Sequence, residues 1–356
     1  MEAHESPAAL VTQASLTAGV RGLRISLARL RRRQALVVGV LVAVCAALVG
    51  AEIMVGNTFY PLATVWEVLC GADVKGATYA IWEVRLPRLL AGLITGFAFG
   101  LAGCVFQTIL RNPLASPDVI GITSGASVVA VACILVGHMG AAEASPWAMV
   151  GALGTAVAII ALASIGGFSI GKFVLVGLGA QAFMKAIVSY LLLKGAEFDV
   201  PAALRWMNGS LNGVTLNDVG VLAAVAPLAL VVLLLARQVR VLELGDASAT
   251  VLGARPTLMR CVLVLCSVVM IALGTAVTGP IACVALLSGP IATRLVGQAS
   301  SSMLAAGLVG AALVLAADLV GQHLLGTRFP VGVVTGILGT PYLLYLLVSM
   351  NKKGTA

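Results

Sequence analysis

Residues 87–110, PRLLAGLITGFAFGLAGCVFQTIL, decide the fold, because they form a long apolar run with a single charged residue near its start. A hydrocarbon core about 30 Å thick is crossed by a helix of about 20 such residues. The run does not alternate between polar and apolar residues, as a strand of an outer-membrane barrel does. It therefore predicts a membrane-spanning helix.

Runs of this kind recur along the whole chain. Of its 356 residues, 60% are hydrophobic and 10% are charged, against about 45–50% and about 25% in soluble domains, which excludes a soluble globular fold. We predict an all-α polytopic membrane protein with a basic tail over residues 1–34 and a transmembrane domain over residues 35–351. About ten transmembrane helices are expected, at residues 35–55, 87–110, 119–138, 147–168, 172–193, 219–236, 257–278, 280–296, 303–323 and 331–349.

The distribution of Lys and Arg predicts the topology, because positive residues are enriched on the cytoplasmic side. With the N-terminus inside, fifteen of the 22 Lys and Arg are cytoplasmic, Lys185 lies within a span, and six are outside: Lys75, Arg85, Arg88, Lys194, Arg205 and Arg328. Both termini are then cytoplasmic, and the basic tail is expected to be disordered, to contact anionic membrane lipid, or both. No basic stripe is interleaved with aromatic residues, so nucleic acid is not an expected partner.

The sequence predicts short helices in two segments between the spans, near 200–210 on the outer surface and within 242–255 on the cytoplasmic side. Pro201 and Gly209 stand where a helix begins and ends. Asp246 is a candidate N-cap and Gly253 a candidate C′ residue of the second helix. The apolar face of that helix packs either on a cytoplasmic partner or on the chain's own helices.

Two charged residues stand inside predicted spans, where a charged side chain costs about 2.5–3.5 kcal/mol on insertion scales. Lys185 and Asp318 could belong to an ion relay, as in an ion-coupled secondary transporter. Alternatively, Lys185 pairs or snorkels to the membrane surface, and Asp318 hydrogen-bonds helix ends inside the bundle. Gly92, Gly96 and Gly100 recur at every fourth position of the second span. Such spacing indicates a small-residue face for close helix packing.

Three arginines lie on the side of the membrane where positive charge is disfavoured. Arg85 and Arg88 are three residues apart, so they share a helix face, and Arg328 precedes the last span. A guanidinium fork suits carboxylates. These arginines therefore suit an acidic docking partner, an anionic solute or the interfacial anchoring of helix ends.

No motif in the sequence predicts catalysis or a metal site. Residues 166–173, GGFSIGKF, resemble a phosphate-binding loop, but Phe173 stands where Ser or Thr would bind the magnesium ion. The seven cysteines are scattered, and the histidines His4, His138 and His323 are too dispersed for a metal site. We therefore expect no ATP hydrolysis, no cofactor and no metal on this chain.

Residues 83–127, EVRLPRLLAGLITGFAFGLAGCVFQTILRNPLASPDVIGITSGAS, resemble the hallmark segment of the FecCD family, the permease subunits of ABC importers for ferric siderophores, haem and cobalamin. The resemblance continues through residues 242–256, LELGDASATVLGARP, through 278–287, TGPIACVALL, and through 329–347, FPVGVVTGILGTPYLLYLL. Within the family, the chain looks closest to a permease of a ferric enterobactin importer. The segments that carry this likeness are EVRLPR, NPLASPDVIG, NGSLNG and VLELGD.

The resemblance implies a type II ABC importer permease fold in the inner (cytoplasmic) membrane and a transport subunit that is not an enzyme. A ferric siderophore would be delivered by an extracytoplasmic binding protein. Separate cytoplasmic ATPase subunits would hold ATP and magnesium. The second FecCD-type permease is expected to be a different chain, which gives a heterodimer.

The resemblance also assigns roles to individual residues. Glutamates of the binding protein would be received by Arg85, Arg88 and Arg328. Coupling to the ATPase is assigned to Leu242, Leu244, Gly245, Asp246, Ala249, Leu252 and Gly253, and helix packing or translocation to Gly92, Gly96, Gly100, Gln107, Asn112 and Pro113. The stretch Ser288–Arg294 departs from the family's Ala-Pro-His-Ile-Ala-Arg. The alternative classes are an ion-coupled transporter that uses Asp318 and Lys185, and a membrane scaffold without transport activity.

Overall fold

The protein is helical throughout the part that its computed structural model describes, residues 7–117, 121–167, 170–243, 245–251, 253, 255–297 and 302–354. These residues contain no strand and one π-helical turn, at Ala80–Arg85. The all-α prediction is confirmed. The α-helices in this part are α1 (Pro7–Met54), α2 (Leu62–Leu69), α3 (Ala77–Tyr79), α4 (Leu86–Leu110), α5 (Ile122–Leu135), α6 (Ala141–Ser164), α7 (Ile170–Lys194), α8 (Val200–Met207), α9 (Leu216–Leu222), α10 (Val225–Glu243), α11 (Asp246–Val251), α12 (Pro256–Thr278), α13 (Val284–Val296), α14 (Met303–His323) and α15 (Val331–Gly354).

The long apolar helices coincide with the predicted spans. Within the described residues, seven segments are long and apolar enough to cross a membrane: Ala28–Met54, Ala77–Leu110, Ala141–Ser164, Gly171–Lys194, Leu216–Ala236, Pro256–Thr278 and Met303–His323. Three shorter apolar helices, Ile122–Leu135, Val284–Val296 and Val331–Leu346, fall within the remaining predicted runs. The chain is therefore a multi-pass membrane protein, while the count of ten crossings and the orientation stay predictions.

Helix α1 begins far ahead of the first predicted span. It starts at Pro7 and runs to Met54, so residues 7–34 of the basic tail continue into the span without a break. The tail is rich in Ala, Leu and Arg, which favour helix, and no proline follows Pro7 before the span. The arginines mark where polar sequence gives way to apolar sequence, and this boundary does not require the helix to end.

Helix α4 lies at the centre of the bundle, in contact with α12, α13 and α14. Its glycine face allows α14 to approach unusually closely. A Cβ placed on Gly96 would lie 2.8 Å from the Cα of Ala311, and one on Gly100 would lie 3.0 Å from the Cα of Gly310. The predicted small-residue packing of this helix is therefore present, and its partner is α14.

A backbone junction joins three segments that are distant in the chain. The amide of Ser210 donates to the carbonyl of Thr278 at 2.7 Å, and the amide of Gly332 donates to the carbonyl of Gly209 at 3.2 Å. Gly209 and Gly279 have positive φ values of 65° and 69°, which non-glycine residues adopt at a steric cost. The junction holds the end of α8 against the end of α12 and the start of α15.

Candidate functional site

The predicted outer arginines lie at the end of the bundle where α1 ends and α4 begins, here called the outer end. Arg88, in the first turn of α4, forms a two-pronged ion pair with Asp318 of α14. Its Nε and Nη2 donate to Oδ2 and Oδ1 of Asp318 at 2.5 and 2.6 Å. Its Nη1 donates to Oδ1 of Asn212 at 2.7 Å. All three nitrogens of the Arg88 fork are therefore engaged inside the chain.

Arg85 caps the end of α1. Its Nη1 donates to the carbonyls of Ile53 and Met54 at 2.7 and 2.9 Å, and its Nη2 donates to the carbonyl of Thr58 at 2.6 Å. The guanidinium also lies 4.8 Å from the centre of the Tyr60 ring. Carbonyls in the last turn of a helix lack intrahelical donors. Arg85 supplies a donor to the carbonyl of Ile53 and a second donor to that of Met54, which also accepts from the amide of Tyr60 at 3.1 Å.

Arg328, in the connection from α14 to α15, is the most accessible of the three arginines. It is exposed, and its Nη2 donates to Oδ1 of Asn57 at 2.8 Å. Asn57 directly precedes Thr58, the residue whose carbonyl accepts from Arg85. Arg85 and Arg328 therefore meet at the same loop, and the predicted set of three arginines lies at one end of the bundle.

Asp318 and Lys185 do not form the relay that an ion-coupled transporter would need. Asp318 is 2% exposed and pairs with Arg88. Lys185 is exposed on α7, a helix that packs on α5 and α6. Asp318 thus has the structural role that the sequence left open for it, because its charge is balanced by a neighbouring arginine.

The short helix α11 lies within the predicted coupling segment 242–255, at the end of the bundle opposite the outer end. Ala249 is fully buried, whereas Val251 is 87% exposed. Gly245 and Gly253 flank the helix with φ values of 99° and 81°. Of the other predicted coupling residues, Leu242 lies in α10 and Asp246 opens α11, while Leu244 and Leu252 lie outside the described residues.

Gln107 of α4 bonds to a carbonyl of α13 that a proline has left free. Its Nε2 donates to the oxygen of Leu286 at 3.0 Å. Residue 290, four positions further on, is a proline without an N–H, so it cannot supply the helical hydrogen bond to that oxygen. A Cβ on Gly289 would collide with Oε1 of Gln107. The stretch Ser288–Arg294, which departs from the family's motif, therefore places a proline inside α13, and Gln107 of α4 supplies the hydrogen-bond donor that the proline lacks.

Asn112 and Pro113 form the turn that follows α4, and both are exposed. Arg111 ends the helix in the left-handed conformation, with φ 48°. The amide of Asn112 donates to the carbonyl of Gln107 at 3.1 Å, and its Oδ1 accepts from the amide of Leu114 at 2.9 Å. This geometry gives the Asn-Pro pair a role in ending the central helix.

Residues 168 and 169 of the segment that resembles a phosphate-binding loop lie outside the described residues, and Lys172 in the described part bonds to main-chain carbonyls. Lys172 Nζ donates to the carbonyls of Ile165, Gly166 and Gly167 at 3.3, 3.4 and 3.2 Å. In a phosphate-binding loop the lysine reaches phosphate oxygens, whereas here it bonds the backbone that follows α6. Among the described residues, no group of three His, Cys, Asp or Glu side chains is placed to hold a metal ion.

Sequence reasoning overlooked one charged residue at the outer end. Glu52 lies in α1, inside the first predicted span, and is 8% exposed. It lies within electrostatic reach of Asp318 and Arg88. The sequence could have pointed to Glu52, because it is an acidic residue near the end of an apolar run, as Asp318 is in the ninth predicted span.

Comparison with known proteins identifies relatives over most of the chain. Residues 40–349 match the FecCD transport family. The chain is 40% identical over 292 residues to the ferric enterobactin transport system permease protein FepG of Escherichia coli, which covers 81% of this chain and 88% of that protein. It is 37% identical to the achromobactin permease CbrC of Dickeya dadantii, over 80% and 84% of the two chains, and 30% identical to the vitamin B12 permease BtuC of Klebsiella pneumoniae, over 84% and 94%.

A solved structure supports the fold. A metal-chelate type ABC transporter in an inward-facing conformation matches with a TM-score of 0.78 at 24% identity, over 88% of this chain and 98% of that one. This match confirms the predicted type II importer permease fold. The relatives are permease proteins of import systems, so the chain is a transport subunit of an ABC importer and not an enzyme. The chain belongs to the FecCD transport family.

Proposed function

We propose that this permease subunit moves a ferric siderophore across the inner (cytoplasmic) membrane after a binding protein delivers it from outside. The observation that carries the proposal is the 40% identity to a ferric enterobactin permease over 292 residues. The achromobactin permease, a second relative named for transport of a siderophore, is 37% identical. Separate ATPase subunits supply ATP and magnesium, and no cofactor belongs to this chain.

The outer arginine surface, defined as Arg85, Arg88 and Arg328, is the proposed docking site for acidic groups of the binding protein. Of the three, Arg328 is exposed whereas Arg85 and Arg88 are half-buried, and one nitrogen of Arg328 donates to Asn57. Arg328 is therefore the residue that meets a partner carboxylate first. Arg85 and Arg88 are held inside the chain, where they shape the surface and add positive charge that steers an acidic partner.

The proposed partner in the membrane is a second FecCD-type permease of different sequence. The ferric enterobactin system supplies the precedent, because permeases named FepG and FepD are both relatives of this chain, at 40% and 32% identity. On the cytoplasmic side, α11 is the proposed contact with an ATPase subunit. Its exposed Val251 offers an apolar group at the end where coupling is expected.

Uptake of radiolabelled ferric enterobactin, ferric hydroxamate and ferric citrate into cells that lack the gene tests the proposal. We expect the deletion to abolish uptake of a ferric siderophore and the wild-type gene to restore it. Arg328→Glu should not restore it at normal expression, because the reversed charge repels an acidic partner. Lys194→Glu, a charge reversal at the exposed end of α7, is the matched control and should restore uptake. Unchanged uptake of every chelate in the deletion would refute the iron assignment.

A further inference from the structure

Glu52 is a buried carboxylate whose role the proposed transport function leaves open. It lies two residues before the end of α1 and is 8% exposed. Neither of its carboxylate oxygens has a hydrogen-bond partner among the described residues. Isolated carboxylates are too costly to bury in ionised form and take up a proton instead. An unpartnered glutamate at this position therefore needs an explanation.

The charged groups around Glu52 come from the helices that pack against α1. Asp318 of α14 and Arg88 of α4 are within electrostatic reach of its carboxyl group. Arg85 donates to the carbonyls of Ile53 and Met54, and His323 lies at the end of α14. The other charged side chains on the described elements packed against α1 are Glu67 of α2 and Glu83 of the π-helical turn, both exposed, and Arg294 of α13, which bonds to Ser349.

The balance of charge favours a protonated Glu52. Arg88 and Asp318 neutralise each other through two hydrogen bonds. An ionised Glu52 would add a second buried negative charge. Arg88 could not pair with it, because all three nitrogens of its guanidinium already donate to Asp318 or Asn212. A protonated Glu52 leaves the Arg88–Asp318 pair neutral and places one hydroxyl donor beside it.

The hydroxyl donor of Glu52 can stabilise Asp318 when Arg88 leaves the Asp318 carboxylate. A partner carboxylate that bonds to Arg88 must compete with Asp318 for the fork. Asp318 is 2% exposed, and a buried ion that loses its partner is strongly destabilised. A nearby carboxylic acid can donate its O–H to the abandoned carboxylate, and such a charge-assisted hydrogen bond is strong.

We propose that Glu52 carries a proton and is the reserve partner of Asp318, donating its O–H to the Asp318 carboxylate when Arg88 turns to an acidic group of the docking protein. The inference rests on the proposed docking function. It makes Glu52 a positioning residue, since it acts on the docking partner through Asp318 and Arg88. Glutamine at position 52 keeps a donor and cannot lose a proton, whereas leucine removes the donor.

The test uses the complete importer complex in lipid nanodiscs and measures its affinity for the importer's own binding protein in the unloaded form. We expect Glu52→Leu to weaken docking about tenfold or more, the range expected for a lost hydrogen bond to a charged group. Glu52→Gln should dock within about twofold of wild type, and its affinity should stay constant at the high pH that weakens docking of the wild type. Glu67→Leu, at an exposed glutamate of α2, should dock normally.

A double-mutant comparison separates this role from general damage. Asp318→Asn removes the charge that needs a reserve donor, so adding Glu52→Leu to Asp318→Asn should cause no further loss of affinity. Normal docking of Glu52→Leu, beside impaired docking of Arg88→Gln, would overturn the reserve role and leave the docking function intact. Normal docking of Arg88→Gln would instead refute the docking role of Arg88, and the reserve role with it. Equal losses in Glu52→Gln and Glu52→Leu would also overturn the reserve role.

Discussion

Gln107 of α4 donates from Nε2 to the main-chain oxygen of Leu286 in α13, over 3.0 Å. That oxygen has lost its helical donor to Pro290, so a side chain of one helix completes the backbone of its neighbour. The bond joins two helices that pack together in the centre of the bundle. It also explains why a polar side chain stands near the end of the apolar run at residues 87–110.

We expect Gln107→Leu to lower the free energy of unfolding by about 1–3 kcal/mol, because the carbonyl of Leu286 is left unpaired. Thermal unfolding of the purified importer complex measures the change. Gln238→Leu, at an exposed glutamine of α10, is the control and should unfold at the wild-type temperature. An unfolding temperature unchanged by Gln107→Leu would mean that the bond contributes nothing to stability.

Gly289→Ala tests the same contact from the other helix. The added Cβ would occupy the place of the Gln107 amide oxygen and push that side chain off Leu286. It should therefore destabilise the complex as Gln107→Leu does, and the double variant should be no less stable than the worse single one. Full additivity of the two losses would contradict a shared cause.

The pair Arg88–Asp318 should behave as a buried ion pair. Replacing Asp318 by leucine is expected to cost about 3–5 kcal/mol, since the Arg88 guanidinium is left without its partner. Replacing Arg88 by leucine should cost less, because Glu52 can donate its O–H to the Asp318 carboxylate. The double variant with leucine at both positions should be less destabilised than the two single losses add up to. Unfolding of the three purified complexes gives the coupling energy, and a value near zero would rule out the pair as a stabilising unit.

Much of the helical fold could be predicted from the sequence, because apolar runs about 20 residues long carry their own signal. The start of α1 could not be predicted, since polar residues mark the membrane edge and leave the helix end undefined. For the site, the sequence grouped Arg85 and Arg88 by their spacing alone. It could not show that Arg88 pairs with Asp318, because residues 230 positions apart are brought together by helix packing and not by any local pattern.

Close packing between α4 and α14 predicts a strong response to a single methyl group. A Cβ at position 100 would collide with the carbonyl oxygen of Ala306 and lie 3.0 Å from the Cα of Gly310. Gly100→Ala should therefore cost about 1–3 kcal/mol of stability. Gly154→Ala on α6, where a Cβ meets nothing within 4 Å, should be neutral or stabilising by about 0.5–1 kcal/mol. Equal unfolding temperatures for the two variants would contradict the close contact.

Arg85→Lys preserves the charge and should still damage the end of α1. A lysine ammonium cannot reproduce the fork that holds the carbonyls of Ile53, Met54 and Thr58. We expect faster amide hydrogen exchange across residues 54–60 in Arg85→Lys, with little change in α10, which lies elsewhere in the bundle. An exchange rate in this loop equal to that of the wild type would show that a positive charge at position 85 is sufficient to hold the end of α1.

Val251→Asp tests the proposed contact of α11 with the ATPase. Because Val251 is 87% exposed, an aspartate there should leave folding of the permease intact. We expect less of the ATPase subunit to co-purify with the permease, and we expect siderophore uptake to fall. Leu324→Asp, at an exposed leucine that follows α14 at the outer end, should retain the ATPase. Normal ATPase recovery with Val251→Asp would place the contact elsewhere.

The glycine junction at the outer end limits how this family member can diversify. A side chain on Gly332 would collide with the carbonyl of Asn208, and one on Gly279 with that of Trp206. Substitutions at these positions should therefore disrupt the junction whichever cargo is carried. Changes in cargo preference are therefore expected from mutations at other positions, while the glycines of the junction stay unchanged.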